Sequence, residues 1–217
     1  MLNIQSVTVK FGGLTILRSL TLEVPQKSIV GLVGRNGAGK TTTLKSIMGL
    51  VPIASGQIML EGQDLTSVAP VHRVRLGIGY MPEDRRLIGS LTVQENILLP
   101  AWVQGKKEDQ DLLEPIYQLL PEVKSFASQR ATQLSGGQQK LVALARSLLV
   151  ARRVLLLDEP MEGVAFALST RLAEAIQLFQ EKEPGLSILV CESDLNRMQL
   201  LTKNIYTIER GEIVLEG

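Results

Sequence analysis

Apolar and polar side chains alternate along the first part of the chain with the period of β-strands. Residues 2–10 and 20–24 show this alternation, and residues 55–60 repeat it before a turn at 61–62. Between them, residues 28–33 form a short run that is almost entirely apolar. Together these segments predict a small antiparallel sheet around the apolar strand.

The middle of the chain changes to the spacing of helices. Thr92 and Glu95 form a capping box before an apolar stretch, so a helix is predicted to begin there. A second helix is predicted over residues 111–120, where a proline ends it. A third is predicted over about 135–150. The charged stretch 105–109 predicts a solvated loop.

Beyond residue 150, fully apolar strands alternate with helices. The predicted elements are strands over 154–157 and 187–191, helices over 168–179 and 194–201, and a terminal hairpin over 204–215. Apolar strands of this kind are buried on both faces of a parallel sheet. The chain therefore predicts an α/β core, residues 1–83 and 151–217, interrupted by an all-helical insert at 84–150.

One segment of this core carries a recognisable chemistry. Residues 34–41 have the spacing G-x-x-x-x-G-K-T and lie between the apolar strand and a helical pattern. This context indicates a P-loop, in which glycines let backbone N–H groups turn toward phosphate and the following helix adds its positive end. Lys40 is placed to reach the β- and γ-phosphates of a nucleotide, and the hydroxyl of Thr41 is placed to hold Mg²⁺.

Two carboxylates follow the apolar strand at 154–157. In an open parallel sheet the carboxyl end of such a strand lies beside the P-loop, where ligands bind. Asp158 is therefore a candidate for the Mg²⁺ shell, and Glu159 for orienting or deprotonating the attacking water. The alternative is a solvated acidic pair that only ends the strand.

A second glycine-rich helix start occurs at residues 134–138, Leu-Ser-Gly-Gly-Gln, which we call the signature segment. Ser135 can cap the following helix, and the two glycines expose its first N–H groups. Taken alone, the segment is equally well explained as a capped helix with glycines for close packing. Its position between a P-loop and a strand ending in Asp-Glu makes it more specific.

These three motifs together resemble the ATP-binding subunit of an ABC transporter, over essentially the whole chain. The resemblance implies one ABC ATPase domain over residues 1–217: a P-loop NTPase core with a mixed central sheet, a small antiparallel β lobe and an all-helical insert that carries the signature segment. It also implies a head-to-tail dimer that holds ATP between the P-loop of one domain and the signature segment of the other. The nucleotide contacts that it implies are Phe11, Gly34, Asn36, Gly37, Ala38, Gly39, Lys40, Thr41, Thr42, Ser135, Gly136, Gly137 and Gln138.

Some further positions match the family only as single residues, and others differ from the residue that is usual in the family. Phe11 would stack on adenine, with a strand-end core residue as the alternative. Glu83 stands where most members have a glutamine that senses Mg²⁺ and the membrane subunit. Ser193 replaces the usual histidine at the γ-phosphate, and Ala165 replaces an aspartate of the dimer-contact loop. The residues that the resemblance assigns to catalysis are Glu159 and Lys40, and those that it assigns to Mg²⁺ are Thr41, Glu83 and Asp158.

A narrower resemblance links the chain to the smaller ATPase subunits of branched-chain amino-acid uptake systems. It is carried by residues 81–86, 91–96, 162–163 and 213–217. It implies an importer of branched-chain amino acids or a related small polar solute, with transmembrane permease subunits and, indirectly, an extracytoplasmic solute-binding protein. The second ATPase subunit would be a paralogue or another copy. Members of this branch continue further, so the chain is expected to be truncated at its C-terminus.

Composition narrows the function classes. The formal net charge of +1 and the 4% aromatic content predict no nucleic-acid partner. No apolar run approaches the roughly 18–20 residues of a membrane span. The absence of a leader and the single cysteine, Cys191, favour a cytoplasmic protein. The resemblance implies that this protein is peripheral on the inner face of the cell membrane. The alternatives are a soluble ABC ATPase not coupled to transport, and a regulatory module that hydrolyses ATP weakly.

Overall fold

The computed structural model describes residues 1–105 and 110–214, and its strands form two sheets. The smaller sheet consists of β1 (Leu2–Phe11), β2 (Leu14–Val24), β4 (Ser55–Leu60) and β5 (Gln63–Asp64). Its spatial order is β2-β1-β4-β5, and every neighbouring pair is antiparallel. The antiparallel sheet predicted from the alternating segments is therefore present.

The larger sheet has six strands and forms the centre of the molecule. In spatial order these are β10 (Glu212–Val214), β9 (Ile205–Glu209), β3 (Ile29–Val33), β8 (Ser187–Glu192), β7 (Val154–Asp158) and β6 (Ile78–Met81). All neighbouring pairs are parallel except the hairpin of β9 and β10, so the sheet is mixed. β3 belongs to this sheet and not to the antiparallel one, because a strand that is apolar on both faces needs cover on both sides.

Eight α-helices are found in the described parts of the chain. They are α1 (Lys40–Ile47), α2 (Pro70–Arg75), α3 (Val93–Val103), α4 (Glu114–Leu119), α5 (Pro121–Ser125), α6 (Gly136–Leu148), α7 (Phe166–Lys182) and α8 (Leu195–Gln199). Short 3-10 turns cover Gln110–Leu112 and Ala131–Gln133. None of the helices in residues 1–105 and 110–214 has both the length and the hydropathy that a bilayer crossing requires.

The central sheet separates two hydrophobic clusters. On β7 the alternate residues Val154 and Leu156 pack with the antiparallel sheet and α1. Leu155 and Leu157 face the other way and pack with the helices of the second cluster, including α3, α6 and α7. Every residue of β7 is buried. A one-residue shift would turn each of its side chains to the other face, so burial fixes the register of the strand and the position of the carboxylates at its end.

The helical part differs from its prediction in one place. A single helix over 111–120 is wrong: a 3-10 turn comes first, and α4 begins only at Glu114. Leu120 leaves the helical conformation (φ −128°) because a following proline disfavours it there, and Pro121 then opens α5. Residues 106–109 of the predicted charged loop lie outside the described residues, as do 215–217 of the terminal segment.

A buried arginine on α2 fixes the end of α1. Arg73 is 2% exposed, and its Nη1 donates to the carbonyl oxygens of Ser46 (2.9 Å) and Ile47 (2.7 Å). These are the carbonyl groups at the end of a helix, where a cation is favourable. The contact stabilises the helix whose other end carries Lys40 and Thr41.

Candidate active site

The P-loop joins β3 to α1 through backbone conformations that glycine permits. Gly37 has φ +82° and Gly39 has φ +116°, a region that costs other residues about 1–2 kcal/mol. A Cβ on Gly34 would lie 2.4 Å from the carbonyl oxygen of Ile208, so β9 packs directly against the start of the loop. No side chain caps α1. Its first N–H groups therefore remain available for an anion such as phosphate.

Lys40 is folded back over the P-loop and is only 5% exposed. Its Nζ donates to the carbonyl oxygens of Gly34 (2.6 Å) and Arg35 (3.2 Å). It also forms an ion pair with Glu159, 3.1 Å from Oε1. Since the side chains of both partners are only 5% exposed, each depends on the other for compensation of its buried charge.

Asp158 stands at the end of β7, directly opposite Thr41. The Thr41 hydroxyl donates to Oδ1 of Asp158 at 3.1 Å, and the Tyr80 hydroxyl lies 3.5 Å from Oδ2. Burial raises the pKa of Asp158 to about 6, although the bond from Thr41 opposes the change. Burial and the nearby Asp158 charge also raise the pKa of Tyr80. The Asp158 carboxylate is therefore held in a dry position, where a cation would stabilise it.

The three residues predicted to hold Mg²⁺ line one cavity of about 720 Å³: Thr41, Glu83 and Asp158. Glu83 is exposed on the loop after β6, and its charge adds to the rise in the pKa of Asp158. Within the described ranges, no three His, Cys, Asp or Glu side chains cluster as a metal cage. Mg²⁺ is commonly held by one or two carboxylates together with phosphates and water. The hydroxyl–carboxylate pair of Thr41 and Asp158 fits such a site.

Glu159 has a left-handed backbone, φ +50°, and is 4% exposed. Its N–H donates to the carbonyl oxygen of Cys191 at 2.9 Å. Its Oε2 accepts hydrogen bonds from the N–H (3.1 Å) and the hydroxyl (3.2 Å) of Ser193. Ser193, which replaces the histidine that the resemblance leads one to expect, therefore contacts the predicted water-activating carboxylate. A solvated acidic pair, the alternative interpretation, is wrong because both Asp158 and Glu159 are buried.

A further carboxyl group lies behind Glu159. Glu192 ends β8, is fully buried, and accepts a hydrogen bond from the Met161 N–H at 2.8 Å. Burial and the neighbouring Glu159 carboxyl raise the pKa of Glu192 to about 8. Its Oε2 is buried without a hydrogen-bond partner among the described residues. A proton on Glu192 therefore relieves both the burial of its charge and the repulsion from Glu159.

The signature segment begins α6 as a closed capping box. Oγ of Ser135 accepts from the Gln138 N–H at 3.3 Å, and Oε1 of Gln138 accepts from the Ser135 N–H at 2.8 Å. The predicted cap is therefore present. Ser135 and Gly136 are exposed, and a Cβ on Gly137 would lie 2.8 Å from Leu168. The segment is thus packed on one side by α7 and open to solvent on the other.

The remaining predicted nucleotide contacts are spread over the surface of the same region. Phe11, at the end of β1, is 47% exposed, so the alternative of a core residue is wrong. Asn36 is exposed at the tip of the P-loop, Ala38 is buried, and Thr42 is half-buried in the first turn of α1. Ala165 precedes α7 and supplies no side-chain cap.

Sequence reasoning missed two buried charged residues at the site, Lys140 and Glu192. Lys140 is 2% exposed, and its Nζ donates to the carbonyl oxygen of Glu159 at 2.5 Å. The available signal for Lys140 was a charged residue on the apolar side of a predicted helix. For Glu192 it was a second apolar strand that ends in a carboxylate, as β7 does.

Comparison with known proteins adds the family. The family described as ABC transporter matches residues 17–162. The chain belongs to the ABC transporter family. The predicted family, the predicted fold and the prediction of an ATPase are thereby confirmed for this ABC ATPase.

Individual ABC relatives match along almost their whole length. The probable branched-chain amino acid transport ATP-binding protein LivF of Archaeoglobus fulgidus is 34% identical, covering 100% of this chain and 92% of the relative. The high-affinity branched-chain amino acid transport ATP-binding protein BraG of Pseudomonas aeruginosa is also 34% identical, covering 99% and 91%. A dimeric ATP-binding cassette, solved in a post-hydrolysis state with ADP and Pi, has the same fold: TM-score 0.88, 23% identity, covering 100% of this chain and 98% of that one.

Proposed function

We propose that this ABC ATPase powers the uptake of branched-chain amino acids, or of a related small polar solute, through separate membrane subunits. The observation that carries the proposal is the 34% identity with LivF and BraG over nearly the full length of all three chains. That similarity extends well beyond the P-loop and the signature segment. The solute itself would be selected by other chains.

In the proposed mechanism the P-loop binds ATP. Thr41 and Asp158 would hold Mg²⁺, which would neutralise phosphate charge. Asp158 is ionised at neutral pH, since its pKa is about 6. Glu159 is paired with the Lys40 ammonium at 3.1 Å. Phosphate oxygens that bind Lys40 therefore compete with Glu159 for the same ammonium group. Loss of that ion pair frees the Glu159 carboxylate to accept a proton from the attacking water as the general base. ATP binding and activation of Glu159 are then linked through Lys40.

The second half of the nucleotide site comes from another ATPase subunit in this proposal. The support is the exposure of Ser135 and Gly136. In the described part of the chain, moreover, the side chains of Ser135 and Gln138 accept hydrogen bonds only from each other's backbone N–H groups. A helix start with free donors on an exposed face can receive the γ-phosphate held by a neighbour. The dimer closes because ATP contributes contacts to both halves, and hydrolysis removes them.

The permease subunits would dock beside Glu83. The cavity that contains Glu83 continues into an apolar groove between α2 and α3, lined by Leu50, Val71, Pro100 and Val103 among others. Val71 is 43% exposed and Val103 is 57% exposed. This groove lies next to Glu83, which lines the same cavity as Thr41 and Asp158. A membrane subunit bound in the groove could therefore affect hydrolysis. This docking would place the ATPase on the inner face of the membrane.

A second candidate, weak hydrolysis in a regulatory module, is favoured by one observation. Ser193 takes the place of a histidine and contacts Glu159 through its N–H and hydroxyl. A serine cannot carry the positive charge that a histidine can. The two candidates predict different ATP turnover. The permease should raise the turnover of an ATPase that drives transport, whereas the turnover of a regulatory module should stay low.

The test is uptake by the reconstituted complex. The chain, its cognate permease and the second ATPase subunit would be placed in liposomes with the solute-binding protein outside and MgATP inside. We expect accumulation of radiolabelled leucine, isoleucine or valine with the wild type, and none with Lys40→Ala. Uptake of a different small polar solute would move the proposal to that solute. ATP turnover that the permease does not change, with no uptake of any solute in a broad panel, would contradict it.

A further inference from the structure

The signature helix α6 reaches the predicted catalytic carboxylate of its own chain through one buried side chain. Lys140 lies in the second turn of α6, just after the signature segment, and is 2% exposed. Its Nζ donates to the main-chain carbonyl oxygen of Glu159 at 2.5 Å. Glu159 is thus contacted by α6 as well as by the P-loop, through Lys40, and by the segment after β8, through Ser193.

The contact is made at a point that controls where the Glu159 side chain points. Glu159 has φ +50°, and its N–H is held by the carbonyl oxygen of Cys191 on β8. Lys140 holds the other end of the same residue. A left-handed glutamate persists only where its surroundings hold it. Movement of α6 relative to β8 would therefore turn the Glu159 side chain, and a misplacement of about 1 Å can cost a catalytic group about 10²-fold in rate.

The turn after Glu159 is held by two more ionisable side chains. Glu192 accepts from the Met161 N–H at 2.8 Å, and Arg197 of α8 donates to the Met161 carbonyl oxygen. These bonds fix the turn to β8 and α8. Among the side chains that hold this turn, Lys140 alone comes from the helix that begins at the signature segment, as far as the described residues go.

A lysine is a costly choice for this position if packing were its only purpose. Burial lowers the pKa of Lys140, and Arg85 adds to the effect, while the charges of Glu192, Glu162 and Glu159 oppose it. An apolar side chain of similar length would fill the same space without the desolvation penalty of a buried ammonium group. The bond to Glu159 is what an apolar side chain cannot supply.

We propose that Lys140 is a positioning residue that couples the signature helix to Glu159 of the same subunit. The inference rests on the proposed function, in which the signature segment contacts nucleotide held by a neighbour. When the signature segment contacts that nucleotide, α6 is held in place, and Lys140 then holds the backbone of Glu159. The catalytic carboxylate of one subunit is therefore aligned when the signature segment of the same subunit contacts nucleotide bound by its neighbour.

The first test compares Lys140→Met with Lys140→Arg and the wild type, with Lys182→Met as a surface control. We expect Lys140→Met to lower kcat by about 10- to 100-fold while KM for MgATP changes less than about twofold, because binding does not use Lys140. Lys140→Arg, which keeps a cationic donor, should recover part of kcat. Lys182 is exposed on α7, so its replacement should change neither constant.

The second test is a double-mutant cycle with Glu159→Gln, read in single-turnover hydrolysis. If Lys140 acts through Glu159, Lys140→Met should slow the Glu159→Gln enzyme by less than about twofold. Equal slowing in both backgrounds, or a folded Lys140→Met with wild-type kcat, would overturn the inference. Should Lys140→Met fail to fold, Lys140→Gln replaces it in both tests, with the same predictions.

The proposed function and the role of Lys140 fail separately. An unchanged rate in Glu159→Gln alone would remove Glu159 from the mechanism, and the proposed function would fail with it. A slow Glu159→Gln enzyme beside a fast Lys140→Met enzyme would remove only the role of Lys140. Unfolding temperatures of all variants distinguish a lost contact from a lost fold.

Discussion

Two helices of this molecule begin with a glycine-rich turn, and the two turns are built in opposite ways. The start of α1 has no side-chain cap, and its first residue, Lys40, is almost completely buried. The start of α6 is closed by the capping box of Ser135 and Gln138, and it is exposed. Both offer backbone donors for an anion, but only the first is surrounded by its own chain.

The difference indicates which site is complete within one chain. Around α1 the fold already supplies a cation in Lys40, which is paired with the Glu159 carboxylate, and a hydroxyl in Thr41, which donates to the Asp158 carboxylate. Around the signature segment, the hydrogen bonds that the described chain makes to the side chains of Ser135 and Gln138 are only those of the cap. In the proposed dimer the second turn would receive nucleotide held by a neighbour, and Lys140 would link its helix to Glu159 beside the first turn.

The largest expected effect separates chemistry from binding at the α1 turn. Glu159→Gln should lower the steady-state ATPase rate by roughly 10²–10⁴-fold, the usual scale for loss of a general base, while ATP still binds. Turnover is measured by phosphate release and affinity by nucleotide titration. Glu181→Gln, an exposed residue of α7, serves as the control. A normal rate would show that the buried carboxylate is not the base.

The next effect concerns binding at the same turn. Lys40→Ala should weaken ATP binding by about 10- to 100-fold, because a charge-assisted hydrogen bond to phosphate is worth about 1.5–3 kcal/mol. Calorimetric titration checks this, with Lys203→Ala as an exposed control. Unchanged affinity would mean that Lys40 stays paired with Glu159 when nucleotide is present, and that ATP binding does not free the carboxylate.

A matched pair of caps tests what is special about the second turn. Thr92 and Glu95 form the same capping box on α3 that Ser135 and Gln138 form on α6. Thr92→Ala and Ser135→Ala should each cost about 1 kcal/mol of unfolding free energy. Only Ser135→Ala should also reduce ATP-dependent dimerisation in the Glu159→Gln background. Equal dimerisation of the two variants would mean that the signature turn is only a helix cap.

The last effect is a pH dependence of stability that arises from two buried carboxyl groups, Glu192 and Asp158. The folded protein keeps a proton on Glu192 up to about pH 8, whereas the unfolded chain releases it near 4.5. Stability therefore falls as pH rises through this interval, and the loss is complete above it. Asp158 contributes in the same direction, but only up to about pH 6.

Denaturant unfolding of Glu192→Gln between pH 6.5 and 8 isolates the Glu192 contribution. The variant should gain on the wild type as pH rises, by up to about 1.4 kcal/mol per pH unit. A difference that does not change with pH would mean that Glu192 is ionised in the folded protein.

The sequence was enough to predict the chemistry of both turns because that chemistry depends on neighbouring residues in the chain. Glycines at 37 and 39, the cap at Ser135, and the carboxylates after β7 depend on residues a few positions apart. The buried pair of Lys40 and Glu159 and the contact from Lys140 join residues far apart in the chain, whose meeting depends on how α6 packs against the sheet. The short helix that begins at Pro121 was missed because a proline both ends one helix and can open the next.

The most direct test of the central claim asks what lies next to Ser135 when ATP is bound. Cys191 is buried, so Ser135→Cys in the Glu159→Gln chain provides a single accessible thiol for a short thiol-reactive photo-crosslinker. The complex with its cognate subunits would be irradiated with and without MgATP, and the products mapped by mass spectrometry. The account predicts ATP-dependent crosslinks from position 135 to the P-loop of a second ATPase subunit. Crosslinks confined to the same chain, or unchanged by ATP, would contradict it.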